Sequence, residues 1–141
     1  MKENKKILVG GKALNIYGSN RLTNDTNYLI FDPSSSEPFI KDEKMSITYL
    51  NGNGLKFFEE IFHREKENDI ASAQSLMELK AYSYIQHMVN GNYLRAIGDK
   101  HDIAFLSLEF DLKSVEVANE YLKENQLDEI EKIIADVTKQ I

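Results

Sequence analysis

Apolar residues fall along this chain first in short runs and then, past about residue 75, at helical spacing. Ile7-Leu8-Val9 is a brief aliphatic run stopped by Gly10-Gly11, the mark of a short strand. Ala13, Leu14, Ile16 and Tyr17 give one apolar side to a helix of one or two turns, ended by Gly18-Ser19. Asn27 to Phe31 is bulky on both faces, as a central strand should be. A loop is predicted over Asp32 to Pro38, which holds both prolines of the chain. Met45 to Leu50 reads as a third strand, closed by Asn51-Gly52-Asn53-Gly54. Leu55, Phe58, Ile61 and Phe62 then predict an amphipathic helix to about Glu67, and Ile70 to Ala73 a short further strand.

The second half is helical by the same reading. Ser75 is placed to cap a helix with Glu78 three residues on, running to Val89 and stopping at Asn90-Gly91. Met77, Ala81, Ile85 and Met88 form its apolar stripe. Ile103, Leu106 and Phe110 suggest a buried stripe in the next segment, and Asp111 a cap for a helix carrying Val115, Ala118 and Leu122. Leu127, Ile130, Ile134, Val137 and Ile141 keep three-four spacing in a last helix. The expectation is an α+β fold in one domain over 1–141, with a small mixed sheet in 1–74 and a helical part in 75–141.

Composition changes this picture little. Hydrophobic residues at 42% and charged residues at 28% are ordinary for a globular domain. Without cysteine there is no disulfide and no thiolate metal site, which agrees with a cytoplasmic location. No apolar run approaches the roughly 20 residues needed to span a bilayer, and the apolar stretch after Met1 is too short for a signal peptide, so no membrane association is expected. The net charge of −6 argues against general binding to a nucleic-acid backbone. From Asp111 onward, eight acids face four lysines, a net of −4, so the N-terminal part is nearly balanced and has room for an anionic ligand.

Candidate chemistry begins at the glycine pair. Gly10-Gly11 between strand and helix allows close backbone approach, and a helix start offers free N–H groups suited to phosphate. Ser19 and Arg21 are placed to join such a cradle; the alternative is a tight strand-to-helix turn with Arg21 solvated or paired. His63, His87 and His101 show no recognised metal spacing, and Glu59 and Glu67 read as a wet helix face. No serine sits in a GxSxG elbow.

Val9-Gly10-Gly11, a spacer of Lys12 through Asn24, and Asp25-Thr26-Asn27 together resemble the nucleotidyltransferase superfamily that includes DNA polymerase beta and kanamycin nucleotidyltransferase. Ala13, Gly18, Arg21 and Thr23, in a GGxAxxxxGxxRxTxD arrangement, are similar to small prokaryotic members related to abortive-infection toxins. The resemblance implies a nucleotidyltransferase-like sheet flanked by helices. It implies Asp25 and position 27 as the catalytic, magnesium-binding pair, and Gly10, Gly11, Ser19, Arg21 and Thr23 around the phosphates of an NTP. The family's second carboxylate is replaced here by Asn27, a neutral oxygen donor. The next strand, Ile47 to Leu50, supplies no third acid. Asp32 lies five residues beyond Asn27 with opposite facing parity; Asp42 and Glu43 could reach the site from the loop before the third expected strand, though nothing in the sequence requires it. Relatives also carry a lysine-containing helix followed by a Lys-Asp-x-x-Asp segment, which maps to Lys80 and to Asp99 and Asp102, with His87 and Gly98 departing from the pattern. Lys80, Ser83, Tyr84 and His87 share one helix face, and Lys80, bordering the apolar stripe, needs a partner such as Asp99 or Asp102.

The implied function is a nucleotidyltransferase-family protein with an incomplete metal site. Magnesium is expected to bind weakly or not at all, and transfer from an NTP to a hydroxyl to be weak or absent. The rival is a non-catalytic module acting through a protein partner, in a toxin–antitoxin or defence setting, with a nucleotide sensor between the two.

Overall fold

The computed structural model describes residues 5 to 139; Met1 to Asn4, Gln140 and Ile141, the last position of the C-terminal stripe, lie outside them. The fold is α+β, and the chain separates into two compact units, residues 1–72 and 73–141. None of the described helices is long and apolar enough to cross a membrane.

The first unit is built on a four-stranded mixed sheet. Strand β1 (Ile7–Val9) leads into helix α1 (Gly10–Ile16), then come β2 (Thr26–Ile30), β3 (Phe39–Asp42), β4 (Ile47–Asn51) and helix α2 (Lys56–Glu65). The order across the sheet is β1-β2-β4-β3, with β2 and β4 parallel and both outer pairs antiparallel. Ile7 and Val9, Leu29 and Ile30, Leu14 of α1 and Phe57, Phe58 and Ile61 of α2 are buried. That combination follows from the alternation in β1 and the one-sided apolar stripe of α2.

Several expectations about this unit change. Strand β3 was not expected; Phe39, Ile40, Lys41 and Asp42 alternate exposed and half-buried at a sheet edge, so their apolar content is low for a strand. It places Asp42 on a strand end rather than in a loop. The third expected strand starts at Ile47, not Met45, because Glu43 to Ser46 make the β3–β4 turn, with Ser46 at φ 54°. Helix α2 ends at Glu65, where the buried Glu65 carboxylate takes up the Ser72 N–H at 2.9 Å, the Ser72 hydroxyl at 2.7 Å and the Asn68 amide at 3.0 Å. Ile70 to Ala73 is no strand but one parallel bridge to Leu8, with Leu8 N–H donating to the Asp69 carbonyl and Ala71 N–H to that of Leu8.

The second unit holds α3 (Ala73–Val89), α4 (Tyr93–Phe110), a 3-10 turn at Ala118–Glu120 and α5 (Glu124–Thr138). Ser75 is no N-cap: it is buried inside α3, which starts two residues earlier. Glu78 closes no capping box either. Its buried carboxylate accepts the backbone N–H groups of Glu116 (2.6 Å) and Ala118 (2.9 Å) and the Gln74 amide (2.6 Å). Those bonds replace the helix expected after Asp111. Asp111 instead ends α4 in the left-handed region, which aspartate tolerates, while Val115, Ala118 and Leu122 are still buried from a largely non-helical segment. Met88 and Phe110, expected in stripes, are exposed. In α5, Ile130 and Ile134 are buried, as is Ile133 between them.

Candidate functional site

In the first unit the glycine pair forms the first turn of α1. Gly10 stands at φ +71°, a conformation that strains any L side chain. A Cβ on Gly10 would lie 2.5 Å from Asn27 Nδ2, and one on Gly11 2.8 Å from the Thr23 side chain. The structure therefore brings Gly10 against Asn27 and Gly11 against Thr23. The space vacated by the two glycines is taken by this chain's own side chains. The loop after α1 is tied to the helix by Asn15, whose amide donates to the carbonyls of Ser19 (3.0 Å) and Arg21 (2.8 Å). Ser19 Oγ in turn accepts the Arg21 N–H at 3.2 Å. Asn15 was not singled out from the sequence; its position just before a Gly-Ser helix end, where Asn often bonds nearby backbone, is the signal that points to it.

Asp25 is exposed and immediately precedes β2. The Thr23 hydroxyl donates to its carbonyl at 3.2 Å rather than to its carboxylate. Across the sheet, Asn27 is in register with Val9 on β1 and Thr48 on β4, and Thr48 with Lys41 on β3. Residues in register point to the same face, so this row contributes a lysine and no acid. Asp42 belongs to the neighbouring row, in register with Ile47 and through it with Thr26, and so faces the opposite side. Its carboxylate accepts the Met45 N–H. Asp32 is used locally too: Oδ1 accepts the Ser34 hydroxyl at 2.6 Å and the Ser34 N–H at 2.9 Å, and the hydroxyl bond, with the N–H bond second, holds its carboxyl below the usual range. Among the described residues, no three His, Cys, Asp or Glu side chains converge as metal ligands. Magnesium favours several anionic oxygens, and a lone exposed carboxylate beside a neutral amide does not fit a resident ion.

The second unit holds a denser polar cluster between α3 and α4. Lys80 Nζ is 3.0 Å from Asp102 Oδ2 and 3.6 Å from Asp99 Oδ1. The side chains of Lys80, Asp99 and Asp102 are only 13%, 7% and 2% exposed. Asp99 Oδ2 also accepts the Ser83 hydroxyl and His87 Nδ1, both at 2.8 Å. A carboxylate only accepts, so the imidazole proton at this contact sits on Nδ1. Three of the four polar residues sharing a face of α3 thus meet the two aspartates of α4. The fourth, Tyr84, instead donates to Glu129 Oε1 at 3.4 Å, and burial, with Glu129 second, pushes its phenol above the ordinary value. Every oxygen of Asp99 is engaged, which suits holding two helices in register more than accepting a substrate proton.

Comparison with protein-family models, with curated proteins and with solved structures returned no match.

Proposed function

We propose that this chain is a nucleotidyltransferase-type protein whose metal-binding carboxylates are incomplete, and that it transfers nucleotides weakly or not at all. The observation that carries this reading is the contact of Gly10 with Asn27: strand, Gly-Gly turn and the Asp25-Thr26-Asn27 segment meet in space as well as in sequence. The parallel pairing of β2 with β4 supports it, because the neighbouring strand then presents Thr48 where a relative would present its third acid. What remains is one exposed carboxylate, so the assignment is to binding ahead of turnover.

The second reading, a non-catalytic module working through a protein partner, is favoured by the glycine faces themselves. Asn27 and Thr23 pack against Gly10 and Gly11, so close packing within the chain accounts for the glycine pair without a ligand. One experiment separates the two: titration of magnesium and manganese into the wild type, Asn27→Asp and Asp25→Asn, beside a labelled-NTP transfer assay. Expected are weak metal binding and negligible transfer by the wild type, with tighter metal binding by Asn27→Asp. Robust wild-type transfer that Asp25→Asn abolishes would show the metal site to be functional and the incomplete-site reading wrong. If no variant binds metal or nucleotide, the partner-binding reading stands alone.

A further inference from the structure

Asparagine precedes glycine at Asn51-Gly52, Asn53-Gly54 and Asn90-Gly91. Such a pair carries its own chemistry. Glycine has no side chain to hinder its backbone nitrogen, and its conformational freedom lets that nitrogen swing toward the preceding amide. Once deprotonated, the nitrogen attacks Cγ of the asparagine, a C–N bond forms, and the side-chain nitrogen leaves as ammonia. Water then opens the cyclic imide at Cγ to give aspartate, or at the backbone carbonyl to give isoaspartate. One water is consumed and one ammonia released. By sequence the three pairs are equal candidates, but they are held very differently in the fold.

We propose that Asn90 is the deamidation site of the folded protein and that Asn51 and Asn53 are protected from the reaction. Asn51 is fully buried; its Oδ1 accepts the N–H groups of Asp32 and Asn53, its amide donates to the Ser35 and Glu37 carbonyls, and the Gly52 N–H is spent on the Ile30 carbonyl at 2.8 Å. Asn53 is exposed, yet its amide donates to the Ser35 carbonyl at 2.8 Å and the Gly54 N–H to the Asn51 carbonyl at 2.9 Å. Gly54 is also wedged against the backbone of Glu37 and Pro38, which a Cβ there would overlap. Asn90 and Gly91 are both exposed, and among the described residues the Asn90 side chain has no hydrogen-bond partner. Around Gly91 a Cβ would meet nothing within 4 Å, so the backbone has room to move. The attacking N–H is held only by the Met88 carbonyl, at 3.2 Å, in the last turn of α3, where opening costs least. That bond and the one from the Asn92 N–H to the His87 carbonyl, at 2.8 Å, close α3 over a left-handed glycine. Conversion therefore changes the turn that joins α3 to α4. Either product sets a carboxylate against the negative end of the α3 dipole, and isoaspartate adds a backbone carbon that puts both closing bonds out of register. This site is independent of the nucleotide reading and uses none of its residues.

The test is to age the full chain in mildly alkaline buffer, folded and in denaturant, and to follow the exchange of –NH2 for –OH by mass spectrometry after tryptic digestion. Cleavage after lysine and arginine puts Asn90 in the peptide Ala81 to Arg95 and the other two in Met45 to Lys56, and fragment ions place the change within each. In the folded protein Asn90 should convert at least about tenfold faster than Asn51 or Asn53, because their amides react only after a costlier opening. In denaturant the three rates should come within about threefold of one another, since the fold no longer separates them. In the aged folded sample the Asn92 amide, bonded to the His87 carbonyl before conversion, should exchange its hydrogen faster. Conversion of Asn51 or Asn53 as fast as Asn90 in the folded protein overturns the proposal. So does a folded chain in which Asn90 stays intact while the denatured chain converts, or a change in its peptide that falls on Asn92. Unequal rates that persist in denaturant would trace the preference to sequence and overturn the structural account, and an Asn92 amide that exchanges as slowly as before would overturn the effect on the turn.

Discussion

The two polar clusters of this chain are built in opposite ways. Around Asp25 the carboxylate is exposed, its neighbour Asn27 is neutral, and the short-range order comes from backbone: a left-handed glycine, an amide binding carbonyls, a threonine packed on Gly11. Around Lys80 the charges are buried and the order comes from the charges themselves, one ammonium between two carboxylates with a serine and a histidine completing Asp99. The contrast separates what each can tolerate. A buried ion network cannot lose one member cheaply, because the survivors are left in a medium that solvates them poorly. An exposed carboxylate can lose or gain charge with little effect on folding, which leaves it open to changes in chemistry.

The largest effect is expected at the buried cluster. Lys80→Met leaves two buried carboxylates facing each other and should cost about 3–5 kcal/mol in chemical denaturation. Adding Asp102→Leu should recover part of that loss, since the charge left without its partner is then gone. A Lys80→Met protein within about 0.5 kcal/mol of the wild type would mean that the network contributes little.

Next comes the glycine turn. Gly10→Ala combines a left-handed backbone with a clash against Asn27 and should cost about 1–3 kcal/mol. Gly18→Ala also forces a positive φ, at +110°, but its Cβ would meet nothing within 4 Å, so it should cost less. Equal losses for the two in thermal unfolding would remove the steric contact with Asn27 from the account.

At the exposed carboxylate, Asp25→Asn should change stability by less than about 0.5 kcal/mol while abolishing whatever divalent-ion binding the wild type has. Unfolding and metal titration of the same samples would check both halves. A large loss of stability would make Asp25 a structural residue and erase the contrast with Lys80.

The smallest effect concerns pH. Asp32 titrates below the ordinary aspartate value because Ser34 donates to it, so its contribution to stability is present above that ordinary value and is lost as pH falls through the lowered one. Ser34→Ala should move the Asp32 carboxyl back up, seen directly by carbon-detected NMR titration.

Much of the fold was legible from local pattern. The strand–Gly-Gly–helix–strand order over Lys5 to Phe31 needed only β-branched runs and glycine punctuation, and the helices of 73–89 and 124–138 needed only three-four spacing. Lys80 was readable as a residue requiring a partner because an ammonium beside an apolar stripe loses its water. The misses share one cause. Strand β3 has little apolar content and exists because β4 offers an edge to pair with. Glu78 looked like a capping residue and is an anchor for backbone about 40 residues away. Asn51 looked like part of a turn; it is fully buried, accepts the N–H of Asp32, and its amide donates to the Ser35 and Glu37 carbonyls, so that one side chain shapes the proline loop.

What the sequence determined by itself is what short-range physics decides: where the backbone may turn left-handed, which stretches present an apolar face, and that position 27 carries an amide in place of an acid. Tertiary structure alone decided which polar groups meet. Asp99 became the hub for Ser83, His87 and Lys80, and Asp42 was turned away from Asn27 by its register. Each outcome depends on the separation and facing of groups on different elements, and electrostatic and hydrogen-bond energies fall off over a few ångströms that no residue spacing along one strand or helix specifies.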